Sequence, residues 1–116
     1  MRLKKKNEFR RVFREGSVWK GSCFVLHVLP KAGDVRSKAK GVRLGLVVPR
    51  SVGSAVERNR IKRKLREAFR KTAHRLPAAD LVIRPNAACK EAPEEMIMRV
   101  LGKAVNAALE NVKERT

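Results

Sequence analysis

The sequence predicts one α+β domain with the element order α-β-β-β-α-β-α, a four-stranded sheet packed by helices. Three observations lead there. A chain of 116 residues suits one compact domain and is too short for two ordinary cores, so residues 1–116 are read as a single domain. Hydrophobic residues make up 43% of it, enough Val, Leu, Ile and Ala to fold, which excludes a wholly disordered basic tail. The apolar period also changes along the chain, running at three-and-four spacing in some stretches and alternating or forming short apolar runs in others.

The first element is a short helix that Asn7 can cap, with Phe9, Val12 and Phe13 on one face and Gly16 placed to end it. A possible short strand around Val18 and Trp19 follows. Residues 22–29 read as a strand in which Phe24, Leu26 and Val28 alternate with Cys23, Val25, His27 and Leu29, so both faces are expected to be partly covered. Residues 30–41 mix Pro, Gly, Asp and Ser with basic residues and read as an exposed hairpin loop. Residues 42–48 form the next strand, where Gly45 removes a side chain and lets another element approach closely.

Ser54-Ala55-Val56-Glu57 is a capping-box pattern that starts a helix running to about residue 73 or 74, before Leu76 and Pro77 close it. Residues 81–84 make the last strand, ending at Pro85. Residues 93–112 carry Ile97, Val100, Leu101, Ala104, Val105, Ala108 and Val112 as an apolar stripe on one helical face. Pro93 suits its first turn, and Glu94 and Glu95 suit the positive end of its dipole.

The charge is lopsided. Lys and Arg number 29 against 11 Asp and Glu, a formal net charge of +18. Such a chain repels itself unless a polyanion normally lies against it, and for a folded basic domain the commonest polyanion is nucleic acid. Up to residue 90 there are 25 basic and 6 acidic residues, and beyond it 4 and 5, so the last helix is a buttress and the partner meets the earlier part. Cys23 and Cys89 have neither metal-ligand nor redox-motif spacing and read as small buried hydrophobes. No apolar run approaches membrane-spanning length and the N-terminus lacks a signal-peptide pattern, so a cytoplasmic location is expected.

The main chemical feature is the helix after Ser54. Between residues 58 and 71 it carries eight basic residues against one acid, Glu67. Cations in its first turns oppose the helix dipole, and like charges recur at three and four positions, so something outside the helix should compensate. On a wheel of about 100° per residue, Ile61, Leu65, Ala68, Phe69 and Thr72 form the core stripe, opposite Asn59, Arg63, Arg66 and Arg70. Arg58, Asn59 and Arg60 are consecutive and point in three directions, a grip suited to something that wraps the helix end. Arg pairs bidentately with phosphate, and Asn can both donate and accept.

The run Val42-Arg43-Leu44-Gly45-Leu46-Val47-Val48, followed by Val52-Gly53-Ser54-Ala55-Val56-Glu57-Arg58-Asn59-Arg60-Ile61-Lys62-Arg63-Lys64-Leu65-Arg66-Glu67-Ala68-Phe69-Arg70, resembles the signature of the bacterial ribonuclease P protein component. Leu3 to Phe13 with Gly16, and Asp80-Leu81-Val82-Ile83, extend the resemblance over most of the chain. It implies a fold like the second domain of ribosomal protein S5, with a left-handed crossover through the helix that follows the third strand. It implies a protein subunit of a ribonucleoprotein endonuclease that removes the 5′ leader from precursor tRNA, with catalysis by the RNA subunit and its Mg²⁺ ions and no catalytic or metal-binding residue in the protein. The implied partners are the ribonuclease P RNA subunit and precursor tRNA, with no membrane and no obligate protein partner. Family roles carried over place Arg58, Asn59, Arg60, Lys62, Arg63 and Arg66 on the RNA subunit. Phe9, Phe13 and Phe24 fall in a cleft between the first helix and the sheet that holds the leader, with His27 standing where an aromatic residue is expected.

Rival readings make different demands. A protein-only nuclease would need an acid–base pair, for which only His27 and His74 offer themselves, or a metal cluster, for which Asp34 and Asp80 are isolated candidates. A ribosomal protein or RNA chaperone shares the charge and size, and differs in not needing the Arg58-Asn59-Arg60 helix and the Phe9–Phe13 helix in one domain. A DNA-binding regulator would need a short helix-turn-helix pair, which the element order lacks.

Overall fold

The computed structural model describes residues 2–30 and 41–115, with side chains described through residue 110. Its elements, in chain order, are helix α1 (Lys6–Glu15), strands β1 (Ser17–Lys20), β2 (Phe24–Pro30) and β3 (Val42–Leu46), helix α2 (Ala55–Thr72), strand β4 (Ala79–Pro85) and helix α3 (Glu94–Arg115). Single 3₁₀ turns lie at Arg50–Val52, Ala73–Arg75 and Ala87–Lys90. The predicted α+β element order is the observed one.

The strands form one sheet in the order β1-β2-β4-β3. β2 pairs antiparallel with β1 and β4, while β3 runs parallel to β4. β4 therefore separates β2 from β3, and the expected hairpin between those strands does not exist. Residues 31–40 of that connection lie outside the described residues. Inserting β4 between them turns β3-α2-β4 into a crossover unit and places α2 over the sheet.

The strand period of two sorts the side chains. Phe24, Leu26 and Val28 face one side with Leu44, Leu81 and Ile83, all within the large core cluster that also takes Ile61, Leu65, Ala68 and Phe69 of α2 and Ile97, Leu101, Ala104, Val105 and Ala108 of α3. All five residues of the expected α2 stripe are buried. In α3 Val100 is only half-buried, and the side chain of Val112 lies outside the described residues.

The other side is thinly covered. Its cluster is Leu3, Val12 and Val82, with Phe9, Leu29 and Val47 packed against it, and α1 is the helix above it. A ten-residue helix cannot roof a four-stranded sheet, so this face stays partly open.

Local chemistry explains the helix ends. Ser54 Oγ accepts from the Glu57 amide at 3.1 Å and Glu57 Oε1 accepts from the Ser54 amide at 3.0 Å, the expected capping box. α1 begins one residue before the expected Asn7, and Glu8 does the capping, its carboxylate accepting from the amides of Lys4 and Lys5 at 3.2 and 3.1 Å. Gly16 ends α1 in extended rather than left-handed conformation. It must be glycine because a Cβ there would lie 2.5 Å from the Val12 carbonyl oxygen and 2.8 Å from that of Val28. Pro93 sits just ahead of α3, its carbonyl accepting from the amides of Met96 and Ile97.

Candidate nucleic-acid interface

The cations of α2 divide between two flanks. On the flank toward α3, Lys64 Nζ donates to the carbonyls of Cys89, Lys90 and Ala92 at 2.8, 3.2 and 2.7 Å, which ties down the 3₁₀ turn Ala87–Lys90. Lys71 pairs with Glu94 at 2.6 Å, and Glu57 lies 3.5 Å from Lys90. These charges are satisfied within the fold. Arg60 is on this flank as well, lining a recess with Glu57, Lys64 and Glu91.

The other flank faces the β3 edge and is unlike it. Asn59, Lys62, Arg63, Arg66 and Arg70 line a groove of about 600 Å³ whose far wall is Arg2 and whose floor includes Leu44 and Phe69. The lone acid in its lining, Glu67, is engaged by Arg70. Arg58 is half-buried, and its Nε has no hydrogen-bond partner among the described residues. Thus Asn59, Lys62, Arg63 and Arg66 are brought together, while Arg58 and Arg60 diverge from them, as three consecutive helical residues must.

A second surface lies across the sheet. Phe13 is 39% exposed, and its ring meets His27 edge-on with centroids 4.7 Å apart and planes at 87°. Lys4, Lys6, Phe9, Arg10, Phe13 and Val47 line a shallow cleft of about 280 Å³ beside this pair. Burial, with a smaller push from Arg84, lowers the His27 pKa, so the imidazole is a neutral aromatic surface near pH 7. Phe9 sits deeper, because its ring lies on Gly45, where a Cβ would be 2.5 Å from Phe9 Cε1. Phe9 is chiefly the floor of the cleft, and Phe13 with His27 its exposed wall.

Phe24 does not belong here. It is fully buried on the opposite face of the sheet, packed against Trp19 at 5.6 Å between ring centroids, and no leader strand can reach it. The alternation of β2 already carried this signal, since residues 24 and 27 cannot share a face of one regular strand.

Sequence reading missed the roles of three residues. Arg2 enters the groove through a parallel bridge to Leu44 that no sequence period announces. Arg43 and Asp80, apart by 37 positions, form a bidentate pair at 2.9 and 2.8 Å under α1, and Arg43 also contacts Glu8. Hydrogen bonds from the Lys5 and Lys4 amides, then Arg43, lower the Glu8 pKa to about 2. This network pins the N-terminus of α1 to the sheet.

His27 lies in β2 and His74 in the turn beyond α2, and burial raises the pKa of Cys89 to about 11 and that of Cys23 as well. Both cysteines are buried, as expected. Among the described residues, no group of three or more His, Cys, Asp and Glu could hold a metal, and no helix is long and apolar enough to cross a membrane. Asp34 lies outside the described residues.

Two cationic surfaces on opposite sides of one sheet accord with the match of residues 1–109 to the ribonuclease P family model. The chain belongs to the ribonuclease P protein family. A ribonuclease P protein component from Shouchella clausii is 48% identical over 83 residues, 71% of this chain and 64% of that protein's length. Another from Herpetosiphon aurantiacus is 36% identical over 108 residues, 92% of this chain and 83% of the relative. Among solved structures, the RNase P protein of Staphylococcus aureus superposes with a TM-score of 0.71 at 26% identity, covering 97% of this chain and 94% of the other. That of Thermotoga maritima gives 0.69 at 26% identity, covering 100% and 97%.

Proposed function

We propose that this chain acts in the cytoplasm as the protein subunit of a ribonucleoprotein endonuclease that removes the 5′ leader of precursor tRNA. The α2 groove meets the RNA subunit, and the cleft under α1 takes the single-stranded leader. The observation that carries this reading is the separation of the two surfaces. One is an acid-poor groove suited to a folded RNA backbone, and the other pairs an exposed aromatic edge with Lys4, Lys6 and Arg10. Unpaired bases stack on aromatic faces, and cations follow their backbone without reading sequence, which suits leaders of varied sequence.

The protein's own contribution is binding and orientation. Phe13 and His27 offer stacking surface, and the Glu8–Arg43–Asp80 network holds α1 so that this wall stands at a set distance from the sheet. Glu8 and Asp80 are both engaged by Arg43, which fits a division in which the RNA holds the metal and the protein supplies cations and aromatic surface. The chemistry that RNA-held Mg²⁺ supplies is activation of the attacking water and stabilisation of the leaving oxygen.

The test is reconstitution. The chain is mixed with a bacterial ribonuclease P RNA, and cleavage of leader-bearing precursor tRNA is measured at low Mg²⁺. Stimulation that grows with leader length is expected. Absence of stimulation, or cleavage by the protein without RNA, overturns the reading.

A further inference from the structure

The groove beside α2 has a second wall that does not come from α2. Arg2 bridges to Leu44 in parallel, and the Leu3 amide donates to the Leu44 carbonyl at 3.1 Å. Leu3 is buried beneath α1, where a Cβ on Gly45 would meet its Cδ1 at 3.1 Å. Neighbouring residues of an extended segment point to opposite faces, so burying Leu3 on the α1 side sends Arg2 to the α2 side. There it stands across the groove from Asn59, Lys62, Arg63 and Arg66.

Resting on the reading of the α2 face as the RNA-subunit contact, we propose that this groove holds one sugar–phosphate strand of the RNA, with Arg2 a phosphate ligand from the wall opposite α2. Cations on two facing walls suit a single backbone lying between them, whereas the broad convex surface of a duplex would touch only the rims. Leu44 and Phe69, each 5% exposed, leave an apolar floor on which a ribose or base edge can rest. Because the backbone of residues 2 and 3 is already held on the β3 edge, the main chain that carries Arg2 is placed before RNA arrives, unlike that of a cation on a free tail.

The bridge uses main chain, so Arg2→Ala removes the side chain and leaves the anchoring intact. The experiment measures the affinity of the full chain for a bacterial ribonuclease P RNA between ~50 and ~200 mM monovalent salt. Arg2→Ala is expected to lower affinity and to reduce the steepness of log affinity against log salt by about 0.7 to 0.9, the signature of one lost phosphate contact. Arg2→Lys is expected to keep the wild-type steepness. An unchanged slope in Arg2→Ala overturns the proposal and leaves the proposed function standing. A wild-type chain that does not prefer ribonuclease P RNA over unrelated RNA overturns both.

Discussion

Replacing Phe13 separates stacking from packing. The residue is 39% exposed, so roughly three-fifths of its surface is covered, and its ring makes an edge contact with His27. Fully burying such a side chain is worth about 1.5–3 kcal/mol, so Phe13→Ala should destabilise the fold by about 1–2 kcal/mol. One base stacked on an aromatic ring contributes about 1–3 kcal/mol, which is a loss of about 5- to 150-fold in leader-dependent affinity when the ring is removed. Phe13→Leu keeps most of the apolar volume and discards the π face, so its cost in stability should be smaller while its loss of leader affinity stays close to that of alanine. The assay pairs a urea titration of each variant with dissociation constants of the reconstituted holoenzyme for precursor tRNA with and without its leader. The reasoning is refuted if Phe13→Leu retains full preference for the leader, or if Phe13→Ala weakens leaderless and leader-bearing substrates equally.

Gly45→Ala places a Cβ 2.5 Å from the Phe9 ring. A loss of about 1–3 kcal/mol from overpacking is expected in the urea midpoint, partly recovered when Phe9→Leu is added. Glu8, whose pKa falls to about 2 from 4.5, contributes stability that is fully present above pH 4.5 and fades as acidification approaches pH 2. Glu8→Gln should therefore melt at lower urea than wild type near neutrality, with the gap closing toward pH 2; a pH-independent gap would contradict the linkage. Lys64→Met strands the carbonyls of Cys89, Lys90 and Ala92 and should cost about 1–3 kcal/mol of stability. RNA affinity, measured under conditions where the variant is folded, should fall far less than in Arg66→Ala.

The sequence by itself determined the elements and the inward face of each. The Ser54–Glu57 capping box, the Ile61-to-Thr72 stripe and the alternation through β2 are local patterns, set by helical or strand period and by hydrogen bonds spanning three residues. Asn7 misled because the helix starts earlier, at Lys6, and its N-terminus is closed by Glu8, which reaches back to the amides of Lys4 and Lys5 and is held there by Arg43. The tertiary structure alone decided what each face meets. Inserting β4 between β2 and β3 dissolved the expected hairpin, sent α2 and α3 to one side and left α1 alone on the other, and so opened the cleft at Phe13 and His27 while sealing Phe24. The same topology sorted the cations of α2 into those spent on Glu94 and the Ala87–Lys90 turn and those left facing Arg2. Period is a property of a few consecutive residues, whereas strand order and charge pairing join residues tens of positions apart, where loop closure and burial, not propensity, choose the partner.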